Sequence, residues 1–384
     1  MRSACGLRLQ PAGKSSMKLD RRTFLGLSAG AMISRARFLR AQVTRAEDAD
    51  AAPTLREAGT PKGILAGTAV GRGILDDPAM AQLIVDQYNI LVCENDMKWT
   101  ATQPEQDRYD FTRADTVVAF AESHGQRVRG HNLCWHVDNP KWLTAALTPQ
   151  NAATLLEDHV RTVAGHFAGK IQSWDVVNEA VLPEDGRNDG LRKSIWLQAL
   201  GPEYIELAYR TAAAADPRAR LTYNDYDLER DNPVHDRRRK YVLELLRWFR
   251  KKNIPLQALG IQSHLTASLV PATWKGLNHF LDEVHDLGLE VYVTEMDVED
   301  LELPGDIPTR DRLVAEMYRG YLEIVLHHPA VKAVLTWGFT DKYSWLNHVR
   351  HQRPDGLPKR PLPFDADLRP KPAFDAMIEA LQKA

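Results

Sequence analysis

Glu179 and Glu295 each follow a run of apolar residues, Glu179 closing Trp174-Asp-Val-Val-Asn-Glu179 and Glu295 lying within Val293-Thr-Glu-Met-Asp297. Such runs are buried in folded chains, so a carboxylate at their end needs a partner or a task. Two carboxyl groups facing one cleft can cleave a glycosidic bond. One, protonated, assists the leaving oxygen; the other, ionised, attacks the anomeric carbon. Taken singly, either glutamate reads more readily as a structural salt-bridge partner. Together, with Asn178 directly before Glu179, they favour the paired chemistry.

Other groups sit at spacings that could support such a pair. A strand turns residues i and i+2 to one face, which puts Gln262 with His264 and, on the next strand, Glu295 with Asp297. A chain from Glu295 through His264 to Asp297 would orient the nucleophile and tune its ionisation; the simpler alternative is a hydrogen-bonded core histidine. His131 and His136 in His131-Asn-Leu-Cys-Trp-His136 could be read as a metal pair, but they lie at a strand end with no Cys or Asp cluster at ligand spacing. His131 is better placed as a donor to sugar hydroxyls. Residues Gly67 to Gly73 lack a Walker lysine, and no Gly-x-Ser-x-Gly elbow occurs. No cofactor and no metal is expected.

These residues must be carried by elements that bring them together. Short apolar runs alternate with longer helical patterns at a period of roughly forty residues, as in successive βα units. The strand candidates are Ile64–Val70, Ile90–Glu94, Arg127–Cys134, Ser173–Asn178, Arg220–Asn224, Ala258–His264, Glu290–Glu295 and Ala333–Phe339. Asp77-Pro78 and Thr148-Pro149 read as helix starts, and Gly125, Gly169 and Gly288 as stops. The expected fold class is α/β, a single (β/α)8 TIM barrel, with no second domain. Polar residues collect at the C-terminal ends of the strands: Glu94, Asn95 and Lys98 after the second, His131 and Trp135 at the third, Asn178 and Glu179 at the fourth, Asn224 and Asp225 at the fifth. Gln262 and His264 close the sixth, Glu295 and Asp297 the seventh, and Trp337 the eighth. That rim is where a barrel of this kind carries its chemistry.

Composition narrows the partners. Among 384 residues 49 are Lys or Arg and 51 Asp or Glu, a net charge of -2 that lacks the basic footprint of a nucleic-acid binder. A neutral or mildly acidic polymer is the easier partner, and nine Trp could stack on sugar rings or simply pack in the core. Three cysteines form no disulfide framework; Cys93 and Cys134, both near strand ends, read as small buried apolar residues rather than a bonded pair.

Near the N-terminus, Arg21-Arg22 with Phe24-Leu25 and a short apolar run to Ile33 reads as a twin-arginine export signal, with Met17 a possible start. The run is far short of the ~20 residues that span a bilayer, so no permanent membrane anchor is expected. Residues 1–41 are assigned to this signal region, 42–61 to a linker and 62–384 to the barrel, with order beginning near Gly63. The protein is expected to be periplasmic or secreted.

From Gly63 to Leu381 the chain resembles the glycoside hydrolase family 10 xylanases. The motifs that carry the likeness are Glu94-Asn-Asp-Met-Lys-Trp99, Arg129-Gly-His-Asn-Leu-Cys-Trp-His136, Trp174-Asp-Val-Val-Asn-Glu179, Tyr223-Asn-Asp225, Gln262-Ser-His264, Thr294-Glu-Met-Asp297 and Thr336-Trp-Gly338. Ser344-Trp-Leu346, Arg360-Pro-Leu362 and Pro370-Lys-Pro372 add to it. The resemblance implies retaining, endo-acting hydrolysis of xylan or xylo-oligosaccharide, with Glu179 as acid/base, Glu295 as nucleophile and His264 as its hydrogen-bond partner; a monomer is the separate expectation for the assembly. It implies that Asn178 meets the reacting sugar's 2-hydroxyl, and that Lys98, His131, Gln262 and Trp337 hold that sugar. Glu94, Asn95 and Trp345 would shape the next site on the non-reducing side, where Trp345 leaves little room for the CH2OH of glucose. Cys134 stands where the family has an aliphatic residue and Met296 where it has Leu. Two other readings stay open: another β-1,4-glycanase such as a cellulase, and a non-catalytic carbohydrate-binding barrel, which would be expected to have lost Glu179 or Glu295.

Overall fold

A computed structural model describes residues 53–384 apart from Arg72, Ala272 and residues 349–351; the expected export signal lies outside the described residues. The strands are β1 (Leu65–Val70), β2 (Ile90–Cys93), β3 (Arg127–Cys134), β4 (Ser173–Asn178), β5 (Arg220–Asp225), β6 (Ala258–Ile261), β7 (His264–Thr266), β8 (Glu290–Glu299) and β9 (Val331–Thr336). Each pairs in parallel with its neighbour. β1 also pairs with β9, and β6 with β8, so that the sheet closes on itself. The short β7 lies outside the ring and pairs only with the far end of β8, His264 opposite Asp297. Helices at 78–87, 112–123, 152–166, 203–215, 233–251, 275–286, 307–326 and 372–383 return the chain after each barrel strand. The expected (β/α)8 barrel is the fold.

Local sequence explains why these segments adopt these forms. Asp77 caps its helix by accepting from Ala79 and Met80, with Pro78 in the first turn, and Asn232 does the same ahead of Pro233. Proline has no N–H to waste there, and a short polar side chain satisfies the free donors of the first turn. At Thr148-Pro149 the chain makes a preparatory turn, and the helix begins at Ala152. Gly125, Gly169 and Gly288 follow their helices with φ of +65°, +79° and +69°, conformations that favour glycine.

Two apolar layers result. One lies between strands and helices, with Leu91, Trp174, Tyr209, Val293 and Tyr321 among its buried members. The other fills the barrel: Ala69, Ile90, Val92, Ala258, Tyr292, Ala333, Leu335 and Trp337. Gly130 in β3 is required by close packing, since a Cβ there would stand 2.1 Å from the Trp174 ring. Among the described residues no helix is long and apolar enough to cross a membrane.

Three expectations need correction. The linker assigned to 42–61 runs into ordered chain: Leu55–Gly59 is a helical turn capped reciprocally by Thr54 and Glu57, with Leu55 and Ala58 buried. One turn is too short to display a period, which is why composition concealed it. The sixth strand does not run from Ala258 to His264; it stops at Ile261, and Ser263 takes a left-handed φ of +64° before β7 begins. The last strand starts at Val331 and ends at Thr336, short of Phe339.

Candidate active site

All the carboxylates singled out above lie at the C-terminal mouth of the barrel. β4 delivers Asn178 and Glu179, and φ of Glu179 is +56°. In an extended strand two successive side chains would point to opposite faces; the left-handed turn lets both reach the cleft. Asn178 Nδ2 donates to Glu179 Oε1 at 3.2 Å and Gln262 Nε2 to the same oxygen at 3.0 Å. The turn is held from behind, where the Glu179 N–H donates to the Asn224 carbonyl at 2.9 Å and Arg192 Nε donates to the Glu179 carbonyl at 2.7 Å.

Across the mouth, Glu295 Oε1 accepts from Asn224 Nδ2 at 2.7 Å, while Oε2 lies 3.4 Å from His264 Nε2. His264 Nδ1 is 3.0 Å from Asp297 Oδ1, and Trp345 Nε1 donates to the other Asp297 oxygen at 2.7 Å. The carboxylate, imidazole, carboxylate chain read from spacing is therefore present, but reached by another route. The break at Ser263, whose N–H donates to Glu229 at 2.8 Å, lets His264 pair alongside Asp297.

Burial would raise the Glu295 carboxyl. Its hydrogen bond from His264, the charges of His131 and His264, and the bond from Asn224 outweigh that and hold it at about 2. Burial would likewise lower His264, but the Asp297 charge and hydrogen bond, with Glu295, keep it well above the usual histidine range. Each group thus favours the charged form of the other.

Asn224 joins the two halves. It donates to Asn178 Oδ1 at 2.9 Å as well as to Glu295, and accepts from Thr294 at 2.7 Å. A continuous polar chain thus runs from Glu295 through Asn224 and Asn178 to Glu179.

Beside the carboxylates is an aromatic wall. The Lys98 ammonium sits 5.2 Å from the Trp135 ring centre and 5.9 Å from that of Trp337, and donates to Asn95 at 2.9 Å. His131 meets Trp337 edge-on at 5.2 Å; its Nδ1 bonds Asp175 at 3.0 Å, and Arg129 pairs with that same buried carboxylate. Glu94 follows β2 next to Gly71, where a Cβ would come within 2.6 Å of its Oε2. Burial raises the Glu94 carboxyl, against Lys98 and Asn95. Every predicted site residue thus reaches this mouth; Glu94 stands at its edge, outside the polar chain.

Four residues near the carboxylates were not among the predicted site residues. Asn224 was visible at the end of β5, but only its partners show what it does. His136 Nδ1 lies 3.7 Å from Glu179 Oε2, and burial together with Arg192 pushes it down to about 4. Arg192 comes from an aperiodic loop and carried no sequence signal; it also donates to Tyr226 at 2.9 Å. Asp225, fully buried, is pushed up to about 7 by that burial, against the pull of Arg238 and Tyr223. Cys93 and Cys134 are free and buried, as read from the sequence.

Among the described residues, one group outside the carboxylate pair has ligand spacing for a cation: Asp227, Glu229 and His235. Three of its atoms already have protein partners. Both Glu229 oxygens accept backbone N–H groups, His235 Nδ1 accepts the Arg230 N–H at 3.1 Å, and burial with Arg230, Arg239 and Arg238 pushes His235 down to about 3. That much positive charge opposes a metal ion.

The arrangement offers one carboxylate held ionised, a second carboxyl fed by two amide donors, and a polar and aromatic surface beside them. Comparison with known proteins agrees. The sequence profile described as Glycosyl hydrolase family 10 matches residues 54–380. Endo-1,4-beta-xylanase B of Thermotoga neapolitana is 38% identical over 306 residues, 77% of this chain and 82% of that protein. A beta-1,4-xylanase of Dictyoglomus thermophilum is 37% identical over 307 residues, 77% and 83% of the two chains. Among solved structures, xylanase 10B from Thermotoga petrophila RKU-1 in complex with xylobiose superposes with a TM-score of 0.78 at 36% identity, covering 86% of this chain and 98% of that one.

Proposed function

The chain belongs to glycosyl hydrolase family 10, and from that premise we propose that it hydrolyses internal β-1,4-xylosidic bonds of xylan with retention of configuration. The observation that carries this reading is the Glu295–Asn224–Asn178–Glu179 chain, with Glu295 held at about 2. In the first step Glu295 attacks the anomeric carbon through the oxygen facing His264, while Glu179 passes its proton to the leaving oxygen. The C–O bond of the glycoside breaks and an ester to Glu295 forms. In the second step Glu179, now an anion, takes a proton from water, and the hydroxide equivalent displaces Glu295 from the same face as the departed alcohol.

Asn178 is positioned to donate to the 2-hydroxyl of the reacting sugar. Lys98, His131, Trp135, Gln262 and Trp337 surround that sugar, and Glu94, Asn95 and Trp345 shape the next site. Trp345, fixed through Asp297, supports selection of xylose over glucose, whose CH2OH needs room. Initial rates on xylan and carboxymethylcellulose test the substrate: a preference for the cellulose derivative refutes it. Early-time NMR of the products tests the mechanism, with the β anomer expected first and the α anomer contradicting it.

We also propose that Arg21-Arg22 directs export, and that the barrel works as a monomer. Lys at both arginine positions should trap active enzyme in the cytoplasm, and undiminished export of that variant refutes the signal. Light scattering of the purified protein tests the oligomeric state.

A further inference from the structure

The barrel carries a second concave site at the end opposite the carboxylates. Residues near the starts of the strands surround a cavity of about 450 Å3, among them Arg127 and Arg129 of β3, Arg220 of β5, Glu290 and Tyr292 of β8, and Lys332 of β9. That size falls among small-molecule pockets, roughly 300–1,000 Å3. It has a charge imbalance. Arg220 pairs with Glu290, which also accepts from the Tyr292 hydroxyl at 2.7 Å, and Arg129 pairs with Asp175 deeper in the barrel. Arg127 bonds only the Gln172 amide oxygen, at 3.2 Å; among the described residues neither it nor Lys332 has a carboxylate partner.

The other two arginines of the lining already have carboxylate partners, Arg129 in Asp175 and Arg220 in Glu290, so the charge free to meet a ligand is that of Arg127 and Lys332. Carboxylates and phosphates are the ligands that suit guanidinium forks, because their oxygens can accept in parallel.

We propose that this basal cavity binds an oxyanion, either a phosphate or a sugar carboxylate, with Arg127 and Lys332 supplying the uncompensated charge. The site is separate from the cleft that holds Glu179 and Glu295. One link between the two is the Arg129–Asp175–His131 chain.

The test is calorimetry and thermal unfolding of the full chain with sodium phosphate, D-glucuronate, xylose, or sodium chloride at matched ionic strength. A saturable response to an oxyanion, absent with xylose and chloride and persisting when xylobiose fills the catalytic cleft, is expected. Phosphate alone acting assigns a phosphoryl ligand; glucuronate alone acting assigns a sugar acid. The double variant Arg127→Ser/Lys332→Ser should bind about tenfold or more weakly, and Lys332→Gln, at an exposed position, carries the same test should the double variant not fold. The proposal is overturned if neither oxyanion binds saturably, if xylobiose abolishes the response, or if the variants bind as the parent does.

Discussion

Burial alone would push the Glu295 carboxyl upward; His264, braced by Asp297, reverses this and holds it at about 2. A depressed carboxylate contributes stability above its unfolded value of 4.5 and loses it as pH falls through about 2. The same logic applies to catalysis, because a nucleophile acts as the anion. Replacing His264 with Ala removes a hydrogen bond and a cation from a buried carboxylate, so the acid limb of the kcat/KM profile should move to higher pH. An unmoved limb would show that His264 does not tune Glu295. Glu179 makes a different prediction. Glu179→Ala should slow xylan hydrolysis by about 10²–10⁴-fold yet spare the first step for an aryl xyloside with an acidic phenol, which leaves without help. The glycosyl ester should accumulate, and azide should release it as a β-xylosyl azide. Equal slowing of both substrates, with no azide product, would remove Glu179 from the acid/base role.

At the scale of elements, the motifs that close the chain hold the barrel together rather than touch the sugar. Lys371 donates to Asp341 and to the Arg360 carbonyl, each at 2.8 Å, and Arg360 grips Asp311 on helix 307–326 with two hydrogen bonds. This ties helix 372–383 to the loop after β9. Burial pushes Asp341 up to about 6, opposed chiefly by Lys371. Lys371→Met should therefore leave a buried carboxylate poorly compensated and cost about 3–5 kcal/mol in urea unfolding. The sign of its pH dependence follows. A carboxyl with a raised folded pKa is tolerated while protonated, so the loss should be smaller below about pH 6 and grow as pH rises through it. A pH-independent loss would instead point to packing as the cause.

Over the whole molecule, the two ends of the barrel domain meet: Leu55–Gly59 packs against helix 372–383, with Gly59 close to Leu381. A chain beginning at Pro53 should fold and hydrolyse xylan like the full protein, whereas one beginning at Gly63 loses Leu55 and Ala58 from the core. The shorter chain should be less stable by about 2–5 kcal/mol, and equal melting temperatures would mean that the first turn is dispensable. The alternation of strands and helices and the closed barrel were legible beforehand. Alternation of apolar runs, helix caps and polar strand ends are local properties, written in consecutive residues. So were Glu179, Glu295 and the His264–Asp297 partnership, because each lies at a strand end that must open into the cleft. What the linear chain could not express depends on distances between strands far apart in it. The left-handed backbone at Glu179, the break at Ser263 that sets His264 beside Asp297, and the bridge from Asn224 to both carboxylate arms exist only once β4, β5, β6 and β8 are adjacent. The basal cavity became visible for the same reason: Arg127 of β3 and Lys332 of β9, far apart in the chain, share its wall only after the barrel has closed.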